Sequence, residues 1–277
     1  MSTYSKVIQD SVSEQGIRVI TLELSFPRLI LPEINTYRMA ARNTASSRAV
    51  PLHKRLSSVR SNPFIPNHWG KNQPGMSARE EVDPQTQNQA KGIWEDLIEY
   101  TAKTVENLQK LGIHKQTASR PLDTFSYTKQ IYTTTELSNL LWQRCHPDAQ
   151  PEFMELAYMM ADAAKASQPR LVKPGDWHLP YVTELERASL PLEIAIECCV
   201  ARCARVSYEN HDSNSPVIEK DRSTFSSLVT NGHFSPLEHS LTPVEPTERH
   251  GPFTGWKSYR QTIPNENRTN YPGIIGL

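Results

Sequence analysis

Residues Arg18 to Phe26 read RVITLELSF. Side chains alternate along an extended chain, so Ile20, Leu22, Leu24 and Phe26 share one side while Val19, Thr21 and Glu23 share the other. The spacing predicts a β-strand. Downstream, Pro32 opens PEINTYRMAAR, which reads as a short helix with Ile34, Arg38 and Ala41 near one face and Arg38 directed inward. The polar loop NTASSR follows. Between Ser57 and Asn88 periodicity is weak, and NPFIPNHWGKNQPG reads as an ordered loop able to lie over a site.

Helical periodicity then takes over. Ile93, Trp94, Leu97, Ile98, Ala102, Val105 and Leu108 recur at helical spacing, with Gly112 where a helix would stop. A second helix is expected over Leu137 to Gln143, and a third from Pro151 carries Phe153, Leu156, Ala157, Met160 and Ala164 inward. Residues 167–182, rich in Pro and Gly, mark a connection between two blocks. Two further helices are expected around Leu192 to Val206 and Lys220 to Thr230. The aromatics Phe253, Trp256 and Tyr259 near the end show no period.

Composition limits what the chain does. Its 277 residues suffice for a sizeable core, and Lys plus Arg equal Asp plus Glu at 30 each. Zero net charge argues against general binding to nucleic acid or to a membrane surface, so a charged partner is small or local. No run approaches the roughly 20 apolar residues of a membrane span, and Met1 to Asp10 lacks a signal peptide's apolar centre, so a cytoplasmic location is expected. Cys145, Cys198, Cys199 and Cys203 read as reduced thiols. With 11 Gly, 21 Pro and no glycine-rich nucleotide loop, any phosphate must be held by side chains.

Three clusters carry candidate chemistry. Arg38, Arg42 and Arg48 alternate with Asn43, Ser46 and Ser47, a mixture of guanidinium forks and hydroxyls that suits an oxyanion or, more plainly, a solvated basic edge. NGHFSPLEH, from Asn231 to His239, offers two histidines and Glu238, but without zinc spacing or a third ligand. RCHPDAQPE, from Arg144 to Glu152, sets Cys145 beside His146; a thiolate nucleophile or a structural thiol are the two readings.

Together these clusters resemble flavin-dependent thymidylate synthases. YRMAARNTASSRA, from Tyr37 to Ala49, resembles that family's signature R-H-R-x-x-S-x-N-x-x-S-x-R-Y, with Arg38, Asn43, Ser46 and Arg48 in register. ARVSYEN (Ala204 to Asn210) followed by NGHFSPLEH resembles the family's flavin-binding start, an R-V-S segment and then G-H-x-[ST]-P-x-E-H. ELSNLLWQR followed by DAQPE resembles its late segment. The order is inverted relative to the common form, so the chain resembles a circularly permuted version of the kind carried by bacteriophages, with the Pro-rich stretch as the join.

The resemblance implies an α+β fold, helices packed on a mixed or antiparallel sheet, as one catalytic domain over 1–277. Within it, 17–166 would be the nucleotide-binding and helical part, 167–190 a linker, 191–242 the flavin-binding part and 243–277 an extension. It implies transfer of a one-carbon unit from methylenetetrahydrofolate to C5 of a pyrimidine deoxynucleotide monophosphate, dUMP to dTMP, with FAD as cofactor and NADPH as reductant. A homotetramer is implied, and neither a nucleic acid nor a membrane partner. Arg144 and Ser46 would be catalytic. Glu33, Ser46, Ser47, Arg48, Arg120 and Arg144 would hold the nucleotide. Arg38, Asn43, Asn139, Ser207, His233, Ser235 and Glu238 would hold FAD.

The chain departs from the family pattern in several places. Thr36, Tyr37, Ala41 and Ala49 replace signature residues, Thr44 stands where the signature has a glutamate, and Glu33 where a glutamine usually precedes it. A carboxylate beside a pyrimidine can accept from a cytosine amino group. A dUMP or dCMP 5-hydroxymethyltransferase therefore stays open, as does a non-catalytic nucleotide- or nucleic-acid-binding protein on the same scaffold. Trp256, Tyr259 and Arg260 would either stack on folate or flavin or form a packing arm.

Overall fold

The computed structural model describes residues 2–207, 217–264 and 266, Ser207 in its backbone only. Strands β1 (Tyr4–Ser13) and β2 (Arg18–Pro27) form an antiparallel hairpin whose turn uses Gly16 at φ 80°, a left-handed conformation open to glycine. The RVITLELSF strand lies where its alternation predicts. Both its sides are covered. Ile20, Leu22, Leu24 and Phe26 pack with Tyr132, Phe153, Leu156 and Met160, while Val19 joins Ala41, Val172, Leu241, Phe253 and Trp256.

Helix α1 covers only Leu31–Asn35, and the expected helical run through Arg42 is broken. Its last carbonyls are taken by side chains: Thr36 Oγ1 donates to Glu33 O (2.7 Å), and the Arg42 guanidinium to Ile34 O (3.2 Å) and Asn35 O (3.1 Å). The chain then extends as β3 (Ala41–Thr44). Arg38 is exposed rather than inward.

Helices α2 (Leu52–Ser61), α3 (Pro84–Lys110) and α4 (Lys115–Ala118) form a separate apolar cluster with Leu122 and Phe125. Asp83 caps α3 by accepting from the Gln85 and Thr86 amides, and Gly112, at φ 79°, follows its end. Ile98, Ala102 and Val105 are buried, but Ile93 (72 % exposed) and Leu97 face outward with Tyr100 (70 %). The loop from 62 to 83 is ordered: Trp69 meets Trp94 edge to face, and Trp94 Nε1 donates to Phe64 O (3.1 Å).

Strand β4 (Tyr127–Thr134) pairs antiparallel with both β2 and β3. Helices α5 (Leu137–Arg144) and α6 (Pro151–Ala166) then cover the Ile20 to Phe26 side. The five apolar residues expected inward on α6 are all buried. The stretch read as a bare connection supplies β5 (Arg170–Val172), parallel to β1, and completes a mixed sheet in the order β3-β4-β2-β1-β5. Three residues are too short for periodicity to reveal.

The opposite side of the sheet is closed by described residues that follow β5. Helices α7 (Glu184–Ser189), α8 (Leu192–Ala204) and α9 (Ile218–Thr230) are tied by buried Arg202, which bonds Glu186 (2.5 Å) and Asp221 (3.0 Å). Strands β6 (Leu241–Pro243), β7 (Arg249–His250), β8 (Phe253–Thr254) and β9 (Trp256–Ser258) follow. Trp256 is fully buried and its Nε1 donates to Ile17 O (3.1 Å), so it is core and not a stacking surface. Tyr259 is likewise engaged, edge to face with Trp177. The architecture is α+β.

Candidate functional site

Strand β3 sits at the sheet edge, and its two-residue alternation sorts the signature residues. Ala41 enters the core beside Trp256. Asn43 turns toward the C-terminal block: its Nδ2 donates to Cys203 O (2.7 Å), and its Oδ1 accepts from Ser235 Oγ (3.5 Å). Arg42 and Thr44 turn the other way. Arg42 also donates to Tyr37 O, and Thr44 Oγ1 accepts from Gln130 Nε2 (2.6 Å). Burial pulls the Arg42 guanidinium below its ordinary value, against the opposing effect of Tyr132 and Glu238. An arginine does not lose its charge at any ordinary pH, so the centre of this edge is cationic.

Glu33 on α1 and Arg144 at the end of α5 meet at 2.7 Å. The Arg144 guanidinium lies over the Phe153 ring, 4.9 Å from its centroid, and its Nε is buried without a hydrogen-bond partner among the described residues. Beside them Tyr37, its ionisation suppressed by burial against the opposing charge of Arg144, donates to Asn139 O (3.0 Å). The fold thus gathers Glu33, Asn139 and Arg144 from segments about a hundred residues apart. Cys145 next door is no thiolate, because burial raises its pKa, and its neighbour His146 is exposed.

Ser46, Ser47 and Arg48 occupy a turn beyond β3, closed by the Ala49 amide on Ser46 O (3.0 Å). Arg28 anchors it, donating to Ala45 O (3.1 Å) and pairing through Nε with Asp123 (3.2 Å), which also accepts from Arg55 (2.5 Å). Arg120 opens the 3₁₀ turn that holds Asp123. Arg48 and Arg120 are both exposed and have no ion pair among the described residues. Asp123 offsets one of the two positive charges of Arg28 and Arg55, and the outer two arginines remain available to an anion.

The Asn231 to His239 motif ends in a 3₁₀ turn, Ser235–His239, packed on β3. His233 and Ser235 are exposed. Glu238 keeps 22 % of its side chain exposed and is paired with Arg260 at 2.6 Å; burial raises its pKa, against the opposing effects of Arg260 and Arg42. His239 is fully buried, its Nδ1 2.7 Å from Thr133 Oγ1. A hydrogen-bonded chain continues through Thr21 Oγ1 (2.7 Å) and His178 Nε2 (2.8 Å), and from His178 Nδ1 to Ser11 Oγ (2.9 Å). His233 and His239 therefore do not form a metal pair, and no group of three metal-ligating side chains is present among the described residues. The side chain of Ser207 lies outside the described residues.

A family model described as thymidylate synthase complementing protein matches residues 9–170, more than half of the chain. The chain belongs to that family. Its members are the flavin-dependent thymidylate synthases, and the chain is accordingly a flavin-dependent methylase acting on dUMP. Among curated proteins no sequence matches. Two solved structures of a UMP/dUMP methylase, PolB from Streptomyces cacaoi, are similar. The form bound with 5-Br UMP is 14% identical over 59% of this chain and 88% of that one, with a TM-score of 0.49. The form bound with 5-Br dUMP is 13% identical over 59% and 90%, with a TM-score of 0.47. Likeness at that level transfers neither site nor chemistry.

The contacts of three side chains at this edge escape a reading by motif. Arg42, read only as part of a basic cluster, lies in β3, and its direction follows from strand alternation in ARNT once that segment is read as extended. Phe153 under Arg144 and Arg260 against Glu238 have no local signal, because each partner is set by long-range packing.

Proposed function

We propose that the chain converts dUMP to dTMP, taking the one-carbon unit from methylenetetrahydrofolate and the reducing equivalents from NADPH, with FAD as the cofactor the family employs. The observation that carries this reading is the Arg144 and Glu33 pair, a fixed cation and a carboxylate held together at 2.7 Å beside the signature strand. A uracil ring presents carbonyl oxygens on either side of an N3–H. Arg144 donates to a ring oxygen and Glu33 accepts from N3–H. As the ring becomes anionic on the way to bond formation at C5, negative charge grows on that oxygen, and the fixed guanidinium stabilises it more than it stabilises the neutral ground state. Arg48, Ser46, Ser47 and Arg120 hold the phosphate by charge-assisted bonds.

The exposed Ser235 and His233, the half-buried Glu238, and Asn43 at the strand edge fit a flavin: they offer hydroxyl, imidazole, carboxylate and amide groups on one side of β3. Arg38, exposed nearby in sequence, is a cation for its phosphates. Asn139 lends its amide from α5, and Ser207 belongs to the same part. When bound, FAD supplies the electrons that reduce the transferred carbon, while these side chains bind and orient it. The flavin-holding segment lies C-terminal to the region that matches the family model, and its bonds to Asn43 support a circularly permuted order. Exposed Ile93 and Tyr100 on α3 and Trp142 (80 % exposed) on α5 are apolar surface that the subunit contacts of a homotetramer would cover.

The test is product analysis. Purified protein loaded with FAD is given NADPH, methylenetetrahydrofolate and either dUMP or dCMP, and the nucleotide is weighed by mass spectrometry. Methylated product from dUMP supports the reading. A hydroxymethylated product, or turnover of dCMP alone, contradicts it, and binding of DNA with steep salt dependence and no turnover would favour a non-catalytic binder.

A further inference from the structure

The turn at 259–262 packs against the Ser235–His239 turn and makes a specific ionic contact with it. Arg260 sits in the 3₁₀ turn Tyr259–Thr262, held by Tyr259 against Trp177 and Phe225 and by a capping box on Ser258. From that rigid base its NH1 reaches Glu238 Oε1 (2.6 Å), its Nε reaches Glu266 Oε2 (2.8 Å), and its guanidinium lies 5.7 Å from the Phe234 ring centroid. Glu238 Oε2 has no partner among the described residues, while the side chain still reaches solvent. One carboxylate oxygen is thus clamped and the other is free to accept.

We propose that Arg260 is a positioning residue for cofactor binding: it fixes the Glu238 carboxylate with Oε2 presented to a hydroxyl-bearing ligand, and Glu266 regulates how strongly it does so. This rests on the reading that Glu238 faces FAD. The charged groups that bear on Glu238 are Arg260 and Arg42, which favour its ionised form, and Glu266, which opposes it. Burial alone would leave the carboxyl protonated to higher pH and convert the acceptor into a donor. Removing Arg260 therefore disorders Glu238 and shifts its titration upward. Removing the charge of Glu266 shifts it downward.

FAD titrated into the apoprotein, followed by quenching of flavin fluorescence over a range of pH, tests this. Arg260→Ala should weaken FAD about tenfold, the loss of one positioned charge-assisted bond, and raise the pH below which binding fails. Arg260→Lys should recover most of the affinity, and Glu266→Gln should lower that pH, a reversal that simple loss of packing would not produce. Glu238→Gln with Arg260→Ala should be no weaker than Glu238→Gln alone, since both act through one carboxylate. Should Arg260→Ala fail to fold, the Lys and Glu266→Gln variants carry the test. Wild-type affinity in Arg260→Ala, an unmoved pH profile in Glu266→Gln, or additive losses in the double variant overturn the proposal alone. A wild type that takes up no FAD overturns the flavin reading as well.

Discussion

Lowering the pH from neutrality should destabilise the apoprotein through two buried histidines. His239 and His178 are fully buried and hydrogen-bonded to threonine and serine hydroxyls, with no carboxylate paired to them among the described residues. Burial drives the His239 pKa from its ordinary 6.5 down to about 3, and that of His178 well below 6.5. A depressed histidine pKa means that the unfolded chain binds protons which the folded chain refuses, so this stability is complete above pH 6.5 and is lost as pH falls below it. Between about pH 7 and about pH 5 the His239 shift removes about 2 kcal/mol, and His178 acts in the same direction. That is a large fraction of the roughly 5–15 kcal/mol that domains possess. The Glu186 carboxylate, held at about 2 by Arg202, begins to matter only below its ordinary 4.5, and the raised Glu238 carboxyl offsets part of the loss. Urea unfolding followed by tryptophan fluorescence measures it. His239→Asn, which keeps a group where Nδ1 meets Thr133, should reduce the pH dependence; a wild-type stability that is flat across this range would refute the reasoning.

Three further outcomes follow from the site and its support. Arg144→Ala should cut kcat by about 10²–10³-fold, the usual cost of a lost oxyanion donor, with a far smaller change in FAD affinity; equal losses in both would remove its assigned role. Arg48→Ala should weaken dUMP binding about tenfold with kcat nearly intact, because a phosphate contact is present in ground and transition states alike, and calorimetric titration with dUMP checks it. Trp256→Ala empties a fully buried position and strips a donor from Ile17 O, so unfolding by urea should show a loss of about 3–5 kcal/mol.

What could be read along the chain depended on how local its cause was. The strand at Arg18 and the inward face of α6 follow from nearest-neighbour periodicity, and both are where their spacing places them. The segment after Pro32 misled because its helix is stopped from a distance: Arg42, seven and eight residues on, consumes the carbonyls of α1, and pairing with β4 holds the continuation extended. Motif matching brought Glu33, Asn43, Asn139, Arg144, Ser235 and Glu238 into consideration, yet their contacts depend on the sheet between them. The Ser11, His178, Thr21, Thr133 and His239 chain was illegible for the same reason. Its members come from four remote segments, and no short pattern encodes a hydroxyl meeting an imidazole more than a hundred residues away.

The location of the site is best tested by diffraction from crystals of the FAD-loaded protein grown with 5-bromo-dUMP, using the anomalous signal of bromine. The account predicts the bromopyrimidine against Arg144 and Glu33, its phosphate toward Arg48 and Arg120, and flavin density against Asn43, Ser235 and Glu238. Bromine located away from Arg144, with the Arg144 and Glu33 pair left undisturbed, would contradict it.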